Sequence, residues 1–363
     1  MGETSGSFVV FENRRSFFVE VNGLVWGITI AVVMGFFIFD FFSHVRTPHE
    51  PSIKESAGWS LFYIGLACAF GIFLWFTWGE PGNPHQHGIE FFTGYVTEKA
   101  LSVDNLFIFA LIMTSFKIPR QYQQKVLLIG IAIALILRLV FILLGAAVIQ
   151  AWSDVFYLFG IFLLWTAAKL LWDEIADKEE TDPNDMLVVK MVRKIVPVHG
   201  DYKSDKLWFK DNGKRVLTPL FVALLAIGFV DILFALDSIP AIYGITQEPY
   251  IVFTTNAFAL LGLRQLYFLL DGLLDKLVYL SYGLSLILAF IGMKLILHAL
   301  HENNLPFING GENISVPEVP VELSLVVILG ILLLTTFLSL TVGNRMEEEK
   351  KATESAEAEP SVK

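Results

Sequence analysis

Long apolar stretches dominate the chain, and only short polar segments separate them. A helix of about 20 residues crosses the hydrocarbon core of a bilayer, and stretches of that length recur along the whole sequence. Nine of them are predicted to be transmembrane helices: Leu24 to Phe42, Trp59 to Trp78, Glu90 to Phe116, Val126 to Ile149, Trp152 to Trp172, Thr218 to Ile245, Tyr250 to Leu270, Lys276 to Ala299 and Leu323 to Val342. The pattern predicts an all-α membrane protein with about nine transmembrane helices.

The composition agrees with this prediction. Of the 363 residues, 55% are hydrophobic, which is too apolar for a soluble domain. Cys68 is the only cysteine, so a disulfide within the chain and a thiolate metal cluster are excluded. Arg14 and Arg15 lie among acidic residues before the first helix, so we expect a resident helix rather than a cleaved signal peptide.

The distribution of Lys and Arg predicts the orientation. Without the loop of residues 173–217, one face of the predicted bundle carries ten basic residues and the other carries only Arg14 and Arg15. Because cytoplasmic loops are rich in Lys and Arg, the N-terminus is predicted outside and the C-terminus in the cytoplasm, across the inner (plasma) membrane. The net charge of -10 gives no indication of a nucleic-acid partner.

Five regions follow from these stretches. Residues 1–23 are predicted to be extracytoplasmic, 24–172 to hold helices one to five, 173–217 to be a cytoplasmic loop, 218–342 to hold helices six to nine, and 343–363 to be a disordered tail. Within the loop, Met186 to Val198 has helical spacing, and Lys206 to Leu217 is predicted to be a hairpin around Asn212-Gly213.

Two similar acidic patterns interrupt the apolar helices. In each, a carboxylate is followed six residues later by a second carboxylate and then by a small polar side chain. The patterns are Glu98-Lys-Ala-Leu-Ser-Val-Asp104-Asn105 and Asp231-Ile-Leu-Phe-Ala-Leu-Asp237-Ser238. An ionised side chain at bilayer depth costs at least about 2.5 to 3.5 kcal/mol, so it persists mainly where it faces a protein-lined interior and has a function.

The patterns belong to a longer repeat of three helices. After each pattern come a helix with an arginine and a helix with a lysine that follows a tyrosine by twelve residues; these landmarks are Arg138, Tyr157 and Lys169 in the first unit and Arg264, Tyr282 and Lys294 in the second. Because three is an odd number, the second unit must enter the membrane from the opposite side. Residues 90–172 and 218–299 are therefore predicted to form an inverted repeat, as in many secondary transporters.

Helical spacing limits how the acidic residues can meet. Glu98, Ser102 and Asn105 share one face of a helix, while Asp104 points away from it, and Asp237 is offset likewise from Asp231 and Ser238. The carboxylates can converge if a helix is distorted or if two faces line one cavity. Pro240 suggests a distortion, because it leaves the carbonyl of Leu236 without an amide donor beside Asp237.

Charge and ligand type narrow the chemistry. Four acidic residues, offset by Arg138 and Arg264 if both face the same interior, leave about two negative charges, which suits a divalent cation or two protons. Oxygen ligands without cysteine favour Mg, Ca or Mn. The competing interpretation is a structural ion pair, for example between Asp104 and Arg138.

The remaining polar residues have alternative interpretations. Lys99 suggests a structural pairing, Lys169 and Lys294 lie near helix ends and can snorkel, and the two arginines are either counter-ions or a moving gate. Asp40 is expected at the interface, Asn256 either completes the site or bonds a neighbouring helix, and His85 and His87 in a loop are a weak metal signal.

At these residues the chain resembles the TerC/Alx family of integral membrane proteins, which is named for tellurium resistance. The matching segments are Thr93 to Phe109, Asp231 to Ile242, Pro249 to Phe253 and Leu260 to Leu270, and similarity extends from about Trp59 to Leu340. The resemblance implies a polytopic inner-membrane protein; several members export manganese, and others are linked to tellurite tolerance or to metal loading of exported proteins.

By the same resemblance, the membrane-buried metal site would comprise Glu98, Asp104, Asn105, Asp231, Asp237 and Ser238. The chain departs from the family pattern at Gly228, where an acidic residue is common three positions before Asp231.

Two functions are consistent with the sequence. The first is a secondary transporter that exports Mn(II) or a similar hard divalent cation, with Asp104 and Asp237 as principal ligands, Glu98 and Asp231 holding charge, and Asn105 and Ser238 supplying neutral oxygens. The second is a non-transporting scaffold or stress-response component, linked to tellurite resistance, that binds a protein partner through residues 173–217. No enzyme activity and no cofactor besides the transported ion are expected, since the helices lack a nucleophile and base pair.

Overall fold

The chain is described by a computed structural model over residues 21–45, 51–79, 83–152, 154–176, 207–211, 214–270, 278–306 and 308–357. Ten α-helices lie within these ranges: α1 (Gly23–Asp40), α2 (Ile53–Thr77), α3 (Gln86–Ser115), α4 (Arg120–Ala151), α5 (Val155–Ile175), α6 (Pro219–Tyr243), α7 (Pro249–Leu260), α8 (Leu263–Leu270), α9 (Leu280–His301) and α10 (Val321–Glu357). A π-helical turn, Phe41–Val45, follows α1, and a short 3-10 helix, Asn309–Gly311, precedes α10.

Local sequence signals explain where several helices begin. The side chain of Ser52 accepts a hydrogen bond from the amide of Glu55 at the start of α2, which satisfies a donor that has no partner within the helix. Pro219 and Pro249 occupy the first positions of α6 and α7, where the missing amide hydrogen costs nothing.

The helices confirm the predicted all-α membrane fold. Seven of those described are long and apolar enough to cross a membrane, namely α1 with its π turn, α2, α4, α5, α6, α9 and the first part of α10. Helix α3, which carries the first acidic pattern, is not among the seven, although its 30 residues exceed the length that a bilayer requires.

The prediction of one continuous helix from Tyr250 to Leu270 is wrong. The segment forms two helices, α7 and α8, that are separated at Leu261 and Gly262. Gly262 has φ +77°, and a Cβ atom there would lie 2.9 Å from the Cβ of Tyr63. Glycine permits both the left-handed backbone and the close approach of α2, so the helix is broken without the cost that another residue would add.

Helix α6 is not broken at Pro240, because it continues three residues further to Tyr243. Proline still cannot give an amide hydrogen to the carbonyl of Leu236, as predicted, but the discontinuous helix of the second unit is the α7–α8 segment.

Three predictions concern the polar regions. The hairpin is confirmed: β1 (Trp208–Asp211) pairs antiparallel with β2 (Lys214–Leu217), and Phe209 lies opposite Val216. The prediction of a disordered tail is wrong as far as Glu357, because helix α10 ends only at that residue. The tail sequence is rich in Glu, Lys and Ala, which favour helix, and Glu347 and Lys351 have the spacing of a helical ion pair. The predicted helix of Met186 to Val198 lies outside the described residues.

The two predicted units interleave. The most extensive helix contacts are between α5 and α9, α3 and α7, and α4 and α6. Exchanging α3, α4 and α5 for α6, α7 and α9 maps this set of contacts onto itself, as a two-fold relation between the units requires. The opposite membrane orientation of the second unit remains a prediction.

The crossing of α5 and α9 depends on two glycines. A Cβ atom on Gly160 would lie 2.9 Å from the carbonyl oxygen of Gly292, and one on Gly292 would lie 3.1 Å from the carbonyl oxygen of Gly160. Small residues at a helix crossing let two backbones approach closely, which is a main source of helix association in membranes.

Candidate functional site

Four buried polar residues join the two units at the centre of the bundle. Arg138 on α4 binds Glu98 on α3 through Nη1, and the same nitrogen lies 2.9 Å from Oδ1 of Asn256 on α7. Its Nη2 and Nε atoms donate to the two carboxylate oxygens of Asp231 on α6, at 3.1 and 3.4 Å. The amide of Asn256 donates in turn to the carbonyl of Val252 at 2.9 Å. We call Glu98, Arg138, Asp231 and Asn256 the central cluster.

The central cluster is shielded from solvent, and its side chains are at most 2% exposed. A guanidinium that donates two bonds to one carboxylate has the geometry of a strong ion pair. Glu98 and Asp231 are thus brought together as predicted, but Arg138 is their counter-ion. Asn256 bonds a neighbouring helix, which was one of its two predicted alternatives, because its amide oxygen accepts from Arg138 on α4.

Arg264, the repeat counterpart of Arg138, binds a different set of residues. Its Nη2 lies 3.0 Å from Oδ1 of Asp40, and its Nη1 lies 2.6 Å from Oε1 of Gln124. Gln265 also donates to Asp40, at 3.2 Å. Asp40, at the end of α1, is buried within the protein, and its expected position at the membrane interface remains a prediction. The guanidinium of Arg264 therefore does not offset the charge of the central cluster, and the sequence-based charge count loses one positive charge.

Lys99 supports the broken helix. Its ammonium group donates to the carbonyl of Ala259 at 2.9 Å, within the last turn of α7. The last carbonyls of a helix have no partner within the helix and carry partial negative charge, so a lysine there is favourable. The predicted structural pairing of Lys99 is confirmed.

A second group of predicted site residues lines a cavity of about 230 Å³. We call it the Asp237 cavity. Asn105, Asp237 and Ser238 line it together with Thr166 and Lys169. The hydroxyl of Thr166 donates to Oδ1 of Asp237 at 3.2 Å.

The Asp237 cavity lies between equivalent positions of the two units. Leu101 and Asn105 on α3 line it, and so do their repeat counterparts Phe234 and Ser238 on α6. The first helices of both units therefore contribute equivalent positions to one space.

The structure divides the predicted metal site into two groups. Glu98 and Asp231 belong to the central cluster, and Asn105, Asp237 and Ser238 line the Asp237 cavity. Asp104 lies on α3, but its side chain is outside the part of the structure that is described. Among the side chains that are described, His, Cys, Asp and Glu residues form no group of three or more that could hold a metal ion.

Three polar residues of the Asp237 cavity, all on α5, were not among the predicted site residues. Thr166, Lys169 and Asp173 lie on one face of α5, at spacings of three and four. That spacing is the signal in the sequence that could have identified them. Snorkelling of Lys169 stays a prediction; in the structure its ammonium group lies 5.6 Å from the centre of the Trp165 ring.

A larger cavity of about 500 Å³ lies at the opposite end of the bundle, and we call it the Glu90 cavity. Glu90 accepts hydrogen bonds from Gln86 at 2.9 Å and from Thr246 at 2.8 Å. Its Oε2 atom also lies 3.0 Å from Nδ1 of His87. His85 instead stacks on Trp75 and bonds its carbonyl. The two histidines of the loop motif thus have different partners.

Lys294 also lines the Glu90 cavity, and its ammonium group lies 3.3 Å from the hydroxyl of Ser324. Lys169 and Lys294 are repeat counterparts, so each cavity contains the equivalent lysine of one unit.

Gly228, where the resemblance led us to expect an acidic residue, is buried on α6. The nearest atom that a Cβ there would meet is Cγ2 of Ile133 at 3.9 Å, an ordinary van der Waals distance. Close packing therefore does not explain the glycine.

The helices and their buried ion pairs define a multi-pass, all-α integral membrane protein. Residues 83–347 match the integral membrane protein TerC family, which covers most of the chain, and the chain belongs to this family.

Three relatives illustrate the range of similarity. An uncharacterized membrane protein of Mycobacterium tuberculosis is 46% identical over 316 residues, which cover 87% of this chain and 78% of the relative. An uncharacterized membrane protein of Myxococcus xanthus is 40% identical over 272 residues, covering 75% and 82%. The Escherichia coli K12 protein Alx, whose name proposes a membrane-bound redox modulator, is 32% identical over 331 residues, covering 90% and 97%. No solved structure matches the chain.

Proposed function

We propose that the protein is a secondary transporter that exports a hard divalent cation, with Mn(II) as the leading candidate, through the Asp237 cavity. The observation that carries this proposal is the polar lining of that cavity: carboxylates of Asp237 and Asp173, hydroxyls of Thr166 and Ser238, and the amide of Asn105. Oxygen ligands of this kind suit Mg, Ca and Mn, whereas softer metals favour thiolate or imidazole.

The positions of the two cavities support alternating access. On α9, Leu284 and Leu288 line the Asp237 cavity near the start of the helix, while Lys294 and His298 line the Glu90 cavity near its end. Transporters with inverted repeats move one unit against the other and thereby open a central site to each side in turn. The predicted orientation places the Asp237 cavity toward the cytoplasm, which suits uptake of the cation for export.

The two groups of acidic residues have different proposed roles. Asp237 binds the cation together with Asp104, and Asn105, Ser238 and Thr166 supply neutral oxygens. Glu98 and Asp231 are bound by Arg138 and tie the first unit to the second, and neither lines the Asp237 cavity. Lys169 places a positive charge beside Asp237. The incoming cation takes the place of this ammonium group next to the carboxylate.

The test is the substitution Asp237→Asn in cells that depend on this protein for manganese tolerance. It removes the charge of the ligand and keeps its shape, so we expect loss of manganese efflux with normal amounts of protein in the membrane. Cellular manganese is measured by mass spectrometry after a manganese challenge. The matched control is Asp154→Asn, because Asp154 precedes α5 and bonds Trp152 outside the cavity.

Unchanged cellular manganese in the Asp237→Asn strain would refute the proposal. If deletion of most of residues 173–217 removes the phenotype while Asp237→Asn does not, the scaffold hypothesis replaces it.

A further inference from the structure

We propose that Glu98 and Ser102 form a second cation site, distinct from the Asp237 cavity, that binds one small monovalent cation, sodium. The inference rests on the proposed function for its role in transport, because the sodium ion would be the coupling ion. Its existence as a binding site can be tested without transport.

Two buried oxygens without protein partners mark the site. Oε1 of Glu98 binds Arg138, but Oε2 has no hydrogen-bond partner among the described residues, and neither has the hydroxyl of Ser102. Both side chains are fully buried. A buried polar atom without a partner costs about 1 to 3 kcal/mol, and more when it carries charge, so a ligand that both atoms can bind is favoured.

The helix places these two side chains on one face. Glu98 and Ser102 are four residues apart on α3, a spacing that puts side chains on one face one turn apart. Asn105 follows on the same face and lines the Asp237 cavity, as does Ser238, whose hydroxyl also has no partner within the described structure. A polar stripe therefore leads from the cavity to Glu98.

The charge of the central cluster selects a monovalent ion. Arg138 contributes one positive charge, and Glu98 and Asp231 contribute two negative charges when ionised. Asp231 uses both oxygens on the guanidinium, so the uncompensated charge lies on the free oxygen of Glu98. One monovalent cation makes the cluster neutral, whereas a divalent cation would leave an excess positive charge in a region where net charge is costly.

The ligand type suits an alkali cation such as sodium. A carboxylate oxygen and a hydroxyl oxygen are hard ligands that suit a hard metal cation. Binding at Glu98 changes the charge at the junction of the two units, since Arg138 contacts both. Release of sodium on one side and binding of the divalent cation in the neighbouring cavity would thereby be linked.

The first experiment measures binding on the purified full-length protein in detergent without divalent cations. Radioactive sodium binding is measured by scintillation proximity, and thermal unfolding is followed in NaCl, KCl and choline chloride. We expect saturable sodium binding and a rise in Tm with NaCl only, because a ligand of the folded state stabilises it.

Ser102→Ala removes one neutral oxygen and should weaken the apparent sodium affinity about ten- to a hundredfold, the loss expected for one bond to a charged ligand. Ser102→Thr keeps the hydroxyl and should restore binding. The matched control is Ser60→Ala, since Ser60 on α2 is also a buried serine whose hydroxyl has no partner in the described part of the chain. It should bind sodium like the parent protein.

The second experiment places the protein in liposomes and measures manganese flux with and without an opposing sodium gradient. We expect the gradient to accelerate flux in the parent protein and not in Ser102→Ala. Manganese flux that ignores sodium but follows a pH gradient, or sodium binding that Ser102→Ala leaves unchanged, would overturn the inference. Sodium binding that depends on Ser102 in a protein that moves no manganese would support the site and refute the proposed function.

Discussion

Arg138 and Asp231 form a two-point ion pair across the two units of the bundle, with Nη2 and Nε of the guanidinium 3.1 and 3.4 Å from the two carboxylate oxygens. Arg138 belongs to the first unit and Asp231 to the second. Because Glu98 and Asn256 bind the same guanidinium, one side chain connects α3, α4, α6 and α7.

Removing that guanidinium should strongly destabilise the protein. Arg138→Gln leaves two buried carboxylates without a counter-ion, and breaking a buried ion pair on one side costs about 3 to 5 kcal/mol. We expect a large fall in Tm of the purified protein and a lower yield in the membrane. The triple variant Arg138→Gln, Glu98→Gln, Asp231→Asn removes all three charges and should recover part of the stability. A triple variant no more stable than Arg138→Gln would contradict the electrostatic explanation.

The second arginine predicts a role for α1. Asp40→Asn removes the charge that Arg264 binds. Gln265 can still donate to the side-chain oxygen of the asparagine at position 40. We expect looser attachment of α1 to α8, seen as faster proteolysis of the segment around residue 45 and a lower Tm. Glu55→Gln is the comparison, because Glu55 lies in the first turn of the neighbouring helix α2 and is more exposed. Equal effects of the two substitutions would show that the buried pair has no special weight.

The glycine crossing can be tested by adding one methyl group. In Gly160→Ala the new Cβ would lie 2.9 Å from the carbonyl oxygen of Gly292, so α5 and α9 must separate. Overpacking of this kind typically costs about 1 to 3 kcal/mol. Gly65→Ala on α2 is the matched control, since its Cβ would meet no atom within 4 Å. Differential scanning fluorimetry should show a lower Tm for Gly160→Ala alone, and equal Tm values would disprove the close crossing.

Lys169 should weaken cation binding in the Asp237 cavity. Lys169→Gln removes a positive charge near Asp237, and we expect the apparent affinity for manganese to rise by about two- to fivefold, since exposed charge pairs are weak. The measurement is the concentration dependence of manganese flux in liposomes at constant ionic strength. Lys294→Gln, the repeat counterpart in the Glu90 cavity, is the comparison. A lower affinity in Lys169→Gln would exclude the proposed competition between lysine and cation.

The sequence predicted the membrane class and most of the helices, because the length and apolarity of a transmembrane helix are set by the bilayer. It also predicted the hairpin, for which Asn212-Gly213 is a local signal. It did not predict the break at Gly262, since a glycine in an apolar helix is common and only the packing of Tyr63 against it shows that the backbone turns there. The helical tail was missed because charge and low hydrophobicity suggest disorder, although its residues are good helix formers.

By itself, the sequence determined that six polar residues lie in two related helices, and it predicted that they form a functional site. Only the tertiary structure decided that Arg138 holds Glu98 and Asp231, that Arg264 pairs with Asp40, and that Asp237 lies with Thr166 in a cavity. The physical reason is that spacing along a helix fixes which residues share a face, while the crossing of helices distant in sequence fixes what that face meets.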